Sequence, residues 1–461
     1  MPHDEGRNHG VLLLAHQGGA LIDGLIMAAK ACGVDTYVVT SMTPAKAVRL
    51  EGLHASCTRL FVGTEPAVSW DDIEAALASL AKDGIRPLAC LTAWDGYRRL
   101  MVRANALLGG NDLDMGAVDG AQDKLLMRQT LFSAGLSRAR SFVVDSAESL
   151  AAVQKVDAPL FLKPRKGLGS FAASRLDPKM TWDEFESIRR TLTKDPDSAG
   201  VFVEGASFVA EDFIEGQEMS VEVIAHEGRV FPMAIHEYGQ VVERDGTVWV
   251  VIMYSPPQSL AVSQRRPLVA HLDEIFARFR LRAGCFHVEL RATSLPALSG
   301  GAGRAGVGES STARWEVIEI NTRVGGLYVA QSVEAATGEN ILELWLRTLL
   351  PHLDGHDLRH RLNACRERFL AAQEKVGTFF RGYHGLPGRQ VESIRWNPEV
   401  LEPVQRFLLA TPGMHLARLN REIVIGQAFW TFPLDGAEQT AFERLSKESA
   451  TALEVVYAPT Q

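Results

Sequence analysis

Cysteine is scarce and unpatterned in this chain. Cys32, Cys57, Cys90, Cys285 and Cys365 are five in number, scattered, and never spaced C-x-x-C. Such a set argues against a disulfide framework or a thiolate zinc site and fits reduced thiols. Long hydrophobic runs are missing too: the first ten residues are polar, and the apolar stretch 11–15 (VLLLA) is too short for a signal-peptide core or a membrane span. A cytoplasmic protein without membrane partners is expected. Nor is there an excess of basic charge. With 48 Lys and Arg against 56 Asp and Glu, the net charge is −8, which argues against a nucleic-acid or anionic-membrane surface and leaves small molecules as the expected partners. A local basic pocket stays compatible with that balance. Common phosphate-loop signatures are missing where a first strand would present them: Gly18-Gly19 lacks the rest of G-x-G-x-x-G, and no G-x-x-x-x-G-K is present.

What is there describes an ordinary globular chain, 46% apolar and 23% charged, whose 461 residues exceed one core and call for two to four domains. Residues 11–15 and 36–40 read as strands around a helix at 20–32 that ends at Gly33. The alternation continues through 60–62, 71–81 and 88–91, predicting a Rossmann-like parallel α/β domain over residues 1–118. Dinucleotide binding at Gly18-Gly19 stays open there, without its full fingerprint. Residues 119–205 alternate helix, strand and glycine loop. Strands dominate 206–350, with 218–225 and 229–235 forming a hairpin about His226-Glu227-Gly228. Residues 351–461 form a C-terminal lobe with an Arg-rich helix, the segment 377–395 and a last helix at 437–455. The glycine-rich stretch 299–310 reads as a loop between two strands, without a catalytic role. The fold class is α/β and α+β, multidomain.

Two late strands carry the chemistry. In 285–291 (CFHVELR) and 315–323 (WEVIEINTR), alternation puts His287, Glu289 and Arg291 on one face and Glu319, Asn321 and Arg323 on another. An unpaired buried carboxylate is costly. Either Glu289 and Glu319 form ion pairs with Arg291 and Arg323, or Glu289, Glu319 and Asn321 offer hard oxygen ligands to a divalent cation that takes its other ligands from phosphate. The second reading makes this a metal and nucleotide site. His287 is read either as a satisfied core histidine or as a group that orients Glu289 or touches substrate.

Other segments fall in register with that site. Asp123-Lys124-Leu125-Leu126-Met127-Arg128 is followed by Phe161-Leu162-Lys163-Pro164, then Arg165 to Ser170, then Glu211-Asp212-Phe213-Ile214-Glu215-Gly216-Gln217-Glu218. Together with Glu289, Glu319, Asn321 and Arg323, these resemble the motifs of the ATP-grasp enzymes over about residues 117–347. The C-terminal lobe is similar to that of ATP-grasp ligases joining amino acids, including L-amino-acid (dipeptide) ligases and carnosine-synthase-like enzymes. The resemblance implies an ATP-grasp fold in which 119–205 is the smaller lobe and 206–350 the larger, with ATP and Mg²⁺, or Mn²⁺ in its place, as cofactors.

It also implies roles. Lys124 and Lys163 hold phosphate, and the loop with Gly167, Gly169 and Ser170 closes over it; Lys124 read alone is a helix-surface charge, and the loop a plain turn. Glu211 takes the adenine amino group and Glu218 the ribose, with backbone groups of Asp212 and Ile214 at the base; the alternative is a solvated acidic loop. Glu289, Glu319 and Asn321 bind metal, and Arg323 holds the carboxylate to be phosphorylated. Glu222, on the face of Glu218, either looks into the site or makes a structural ion pair. His236, with Glu237, is placed to meet an amine or act as base. The implied activity is an ATP-dependent carboxylate–amine ligase acting through an acyl phosphate, with a small-molecule acid and an amine, such as amino acids, as partners; a homodimer is compatible. A purine-pathway or biotin-carboxylase-like ligase is the alternative in the same class, and a non-catalytic nucleotide-binding subunit the one outside it.

Overall fold

The computed structural model describes residues 10–19, 21–42, 47–195, 198–202, 206–244, 246–293, 314–350, 355–418 and 421–459. The glycine-rich stretch 299–310 lies outside them. The chain opens with β1 (Gly10–Ala15), α1 (Ile22–Ala31), β2 (Asp35–Thr40), α2 (Ala47–Ser56), β3 (Arg59–Val62), α3 (Trp70–Lys82), β4 (Ala89–Leu91) and α4 (Arg98–Leu108). The strands form a parallel sheet in the order β3-β2-β1-β4. Every residue of β1 is buried, as a central strand of a parallel sheet requires, and this explains its unbroken apolar run.

Two helices, α5 (Met115–Gln122) and α6 (Lys124–Ser133), lead into the next unit. Asp123 caps α6 by accepting the N–H groups of Leu125 and Leu126 at 3.0 and 3.2 Å, which fixes Lys124 in the first helical turn. The smaller lobe consists of β5 (Ser141–Val144), α7 (Ala147–Val153), β6 (Leu160–Pro164), β7 (Ser174–Arg175), α8 (Trp182–Lys194) and β8 (Phe208–Asp212). Its antiparallel order is β5-β8-β6-β7. This sheet runs past the boundary predicted at 205, because β8 pairs with both β5 and β6.

The larger part holds β9 (Gln217–His226), β10 (Arg229–Arg244), β11 (Thr247–Ser255), α9 (Arg265–Phe279), β12 (Gly284–Ala292), β13 (Trp315–Asn321), α10 (Val329–Thr337), α11 (Ile341–Leu349) and α12 (Gly355–Ala371). It continues with β14 (Gly377–His384), β15 (Val391–Trp396), β16 (Gln405–Leu408), β17 (Val424–Phe432), α13 (Glu438–Glu448) and β18 (Leu453–Tyr457). Glu227 and Gly228 both have positive φ, the two-residue turn that lets β9 and β10 fold back as a hairpin. The main sheet has eight strands in the order β13-β12-β9-β10-β11-β14-β17-β16. The expected boundary at 350 therefore does not divide the sheet: β14, β16 and β17 extend it from β11 onward. The helix predicted to run to 455 stops at Glu448, and the Val455, Val456 and Tyr457 run instead pairs with β15. Its β-branched and aromatic side chains favour a strand once a partner is available.

Candidate active site

The face shared by β9, β12 and β13 gathers most of the predicted residues. Register places Glu289 opposite Glu319 and His287 opposite Asn321, with Glu222 and Glu218 of β9 opposite His287 and Arg291. The two arginines are engaged away from the β12 and β13 carboxylates. Arg291 forks onto Glu218, with Nε at 3.1 Å and Nη2 at 2.6 Å, and also donates to the Ile214 carbonyl. Arg323 reaches into the first domain, its Nε 2.6 Å from Asp95 Oδ2. Glu319 instead meets the Lys124 ammonium at 3.0 Å, and Glu289 accepts from His287 Nε2 at 3.2 Å. So the carboxylates are neutralised, but not by Arg291 and Arg323: Glu319 pairs with a lysine of α6, and Glu289 with His287, its same-face neighbour on β12.

His287 is central to this face. Its Nδ1 donates to Glu222 while Nε2 donates to Glu289, so both ring nitrogens carry protons. Burial works against that charge, yet Glu222 and then Glu289 outweigh it and hold the ring's pKa up at about 10. Burial likewise opposes the Glu289 charge, and the imidazolium outweighs it, holding this carboxyl below its ordinary range. Glu222 itself is fully buried and lines neither of the two cavities of this cleft. Nor does His236, whose Nε2 lies 2.8 Å from Ser332 Oγ and whose pKa is pushed down to about 4 by burial. The structure thus does not bring Glu222 or His236 to the reacting groups: His287 covers the first and α10 the second. Glu237 is also fully buried, accepting the N–H groups of Gln258 and Ser259 at 2.7 and 3.1 Å.

Lys163, near the end of β6, projects between the lobes. Its Nζ lies 2.9 Å from Glu211 Oε2 and 3.3 Å from the Ile318 carbonyl, while Arg128 Nη2 approaches the same Glu211 oxygen at 3.2 Å. Burial pushes this lysine's pKa down, and Glu211 opposes it. The other oxygen, Glu211 Oε1, is buried without a hydrogen-bond partner among the described residues. Gly169 and Ser170 both have positive φ, and the Ser170 carbonyl accepts from Thr247 of β11, so this loop folds against the β10–β11 arm. Asp212 turns its carboxylate outward to Arg140, at 2.8 Å from both Nε and Nη2, leaving only its backbone toward the cleft.

Two cavities meet here. The narrower, about 230 Å³, is lined by Lys124, Lys163, Gly167, Gly169, Ser170, Glu211, Asp212, Ile214, Glu218, Glu289, Glu319, Asn321 and Arg323. The wider, about 590 Å³, opens toward the first domain through Asp95, Tyr97, Arg99, Gln122, Arg165 and Lys166. Gly167, Glu319 and Asn321 border both.

The donors present fit the two groups that the sequence called for. An orphaned buried carboxylate oxygen on Glu211 suits an exocyclic amino donor. Among the described residues no three His, Cys, Asp or Glu side chains form a cation cage of their own. Two carboxylates and an amide, from Glu289, Glu319 and Asn321, suit instead a hard cation that completes its shell with phosphate and water. Asp95 and His287 are cavity-lining positions that the sequence reading missed or left undecided. Asp95 had one usable signal: it lies just beyond the carboxyl end of β4, where open parallel sheets bind ligands.

Residues 156–299 match the family described as "ATP-grasp domain". The chain contains an ATP-grasp domain. A search of the curated proteins found no match. Among solved structures, an L-amino acid ligase from Bacillus licheniformis is similar with a TM-score of 0.70 at 17% identity, over 98% of this chain and 100% of that one. The biotin carboxylase domain of Hydrogenobacter thermophilus 2-oxoglutarate carboxylase, in complex with MgADP and bicarbonate, gives 0.64 at 14% identity, over 97% and 91%. Phosphoribosylglycinamide synthetase from Anaerococcus prevotii gives 0.58 at 16% identity, over 98% and 100%. At such identities the likeness establishes the ATP-grasp fold. It is multidomain, with a parallel N-terminal sheet and a large antiparallel one. Among the described residues no helix is long and apolar enough to cross a membrane.

Proposed function

We propose that this ATP-grasp protein is an ATP-dependent carboxylate–amine ligase, working on small-molecule substrates such as amino acids, in a cytoplasmic setting. The observation that carries the reading is the junction at Glu319 and Asn321, which border both cavities while Arg323 stands beside them in the narrower one. ATP occupies the narrower cavity, its adenine amino group at Glu211 and its ribose at Glu218. Lys124 and Lys163 take phosphate oxygens, and the 167–170 loop covers them. Glu289, Glu319 and Asn321 would hold a divalent cation, Mg²⁺ or Mn²⁺, which neutralises phosphoryl charge when bound.

The acid substrate lies with its carboxylate on Arg323. One carboxylate oxygen attacks the γ-phosphorus, the bond to the β-phosphate oxygen breaks, and ADP leaves. The amine nitrogen then attacks the acyl carbon; phosphate departs, the amine loses a proton, and an amide remains. The chain contributes orientation, charge neutralisation and a cleft that keeps water from the mixed anhydride. The wider cavity gives a substrate access to this junction from the first domain.

The test is the nucleotide product. With hydroxylamine as the amine and a panel of carboxylates that includes amino acids and bicarbonate, a hydroxamate should form from an amino acid together with ADP and phosphate. Stoichiometric AMP and pyrophosphate would refute the acyl-phosphate route. Turnover with bicarbonate alone would move the protein to the carboxylase side of the fold.

A further inference from the structure

We infer that Glu222 and His287 are positioning residues that aim the metal carboxylate Glu289 and the Arg323–Gly325 turn at one point. Glu222 is fully buried, and each of its oxygens has one task. One accepts from His287 Nδ1; the other accepts the Gly325 N–H at 3.1 Å. His287 passes the first constraint on, donating from Nε2 to Glu289 Oε1 at 3.2 Å. With one oxygen of Glu289 held from behind, its second is directed into the cleft. With the Gly325 amide held, the backbone two residues after Arg323 is fixed to the same carboxylate. Glu222 lines neither cavity, and both ring nitrogens of His287 are taken up by carboxylates, so both act through their neighbours.

The packing shows that the arrangement is specified. A Cβ at Gly325 would lie 2.6 Å from His287 Nδ1, so only glycine leaves room for the ring in this pose. Outer groups that orient a metal ligand typically account for about 10- to 100-fold in metal affinity. That range sets the expectation for Glu222→Gln, which keeps size and one acceptor but puts an NH₂ where one oxygen had met His287 or the Gly325 N–H.

This inference rests on the nucleotide and metal reading, and the experiment separates the two. ADP binding is measured by calorimetry with and without Mn²⁺ on the whole protein, alongside circular dichroism and thermal melting. Wild-type protein should bind ADP more tightly with Mn²⁺. Glu222→Gln should lose about 10- to 100-fold of that gain while its metal-free ADP affinity stays within about twofold. Gly325→Ala, which displaces the ring but keeps both partners, should show the same selective loss, and so should His287→Gln. A folded Glu222→Gln protein with the full Mn²⁺ gain, or with equal losses in both conditions, would overturn the positioning role. Unfolding of all three variants would also overturn it, by assigning the network to stability alone. A wild-type protein without any Mn²⁺ gain would instead refute the nucleotide and metal reading, and the inference with it.

Discussion

Glu211→Gln offers the sharpest test of how the cleft reads its nucleotide. In the wild type, Lys163 and Arg128 both approach Oε2, and Oε1 is left buried without a partner among the described residues. Lysine and arginine are donors only. A glutamine at this position must therefore turn its carbonyl oxygen toward the two cations and its NH₂ toward the base. A donor would then face the adenine amino group, also a donor, where a carboxylate oxygen had accepted from it. Hydrogen bonds to a charged group are worth about 1.5–3 kcal/mol, which is roughly 10- to 150-fold in Kd. ADP affinity should fall by that much. IDP carries a carbonyl oxygen in place of the amino group, so the same substitution should weaken IDP little or strengthen it.

Calorimetric titration of both variants with both nucleotides gives a four-value cycle, and the prediction is a change in the ADP-to-IDP ratio rather than in either value alone. Stability needs its own control. Removing the carboxylate leaves two buried cations unbalanced, a loss of roughly 3–5 kcal/mol for a broken buried pair, so the melting temperature should drop and binding must be measured well below it. If wild-type protein binds IDP as well as ADP, or if Glu211→Gln keeps the wild-type ratio while folded, Glu211 is not the base-reading group.

Asn321→Ala and Glu319→Gln should each abolish most divalent-cation-dependent ADP formation while leaving a folded protein; undiminished turnover in excess chelator would remove the metal assignment. Asp95→Ala should free the Arg323 guanidinium from its 2.6 Å partner, cutting kcat of acyl-phosphate formation by about tenfold or more with ADP affinity unchanged, so an equal loss in both would mean that Asp95 only holds the domains together. His236 has an ordinary pKa of 6.5 and titrates at about 4 in the fold, so between those values the unfolded chain binds the extra proton. Its contribution to stability should be complete above pH 6.5 and be lost on acidification through about pH 4, a span of about 3 kcal/mol; denaturant titrations in which His236→Asn shows the same slope as wild type would refute it.

Strand alternation made the carboxylate face legible, because period two is fixed by the backbone and Glu289, Glu319 and Asn321 stand at its odd positions. It also put Glu222 on the right face, opposite His287, and His236 opposite Ser220 on that same face. What alternation cannot give is how far the open part of a face extends. That is decided by what lies on top. For Glu222 the cover is the imidazole of His287, a neighbour on another strand. For His236 it is Ser332 of α10, 96 positions further along the chain. A polar residue on the correct face reads as catalytic from sequence whether a cleft or a helix lies above it.

The same physics explains the two arginines. Local sequence offers Glu289 to Arg291 and Glu319 to Arg323, since each pair falls within one strand predicted from the sequence, though β13 itself ends at Asn321. Yet residues two or four apart on an extended strand are separated by about 3.3 Å per residue, whereas cross-strand neighbours stand only about 5 Å away. Arg291 accordingly turns to Glu218 on the adjacent strand, and Arg323 to Asp95, 228 positions away in another domain. The motif identified the charged groups; the partners that set their direction came from the sheet order and from the packing of the first domain against it. On the proposed reading, substrate recognition follows the second kind of information, since the wider cavity is built from the first domain and both sides of the cleft. The cleft's charged groups are therefore readable from short segments, while the contacts that set their directions exist only once the lobes have assembled.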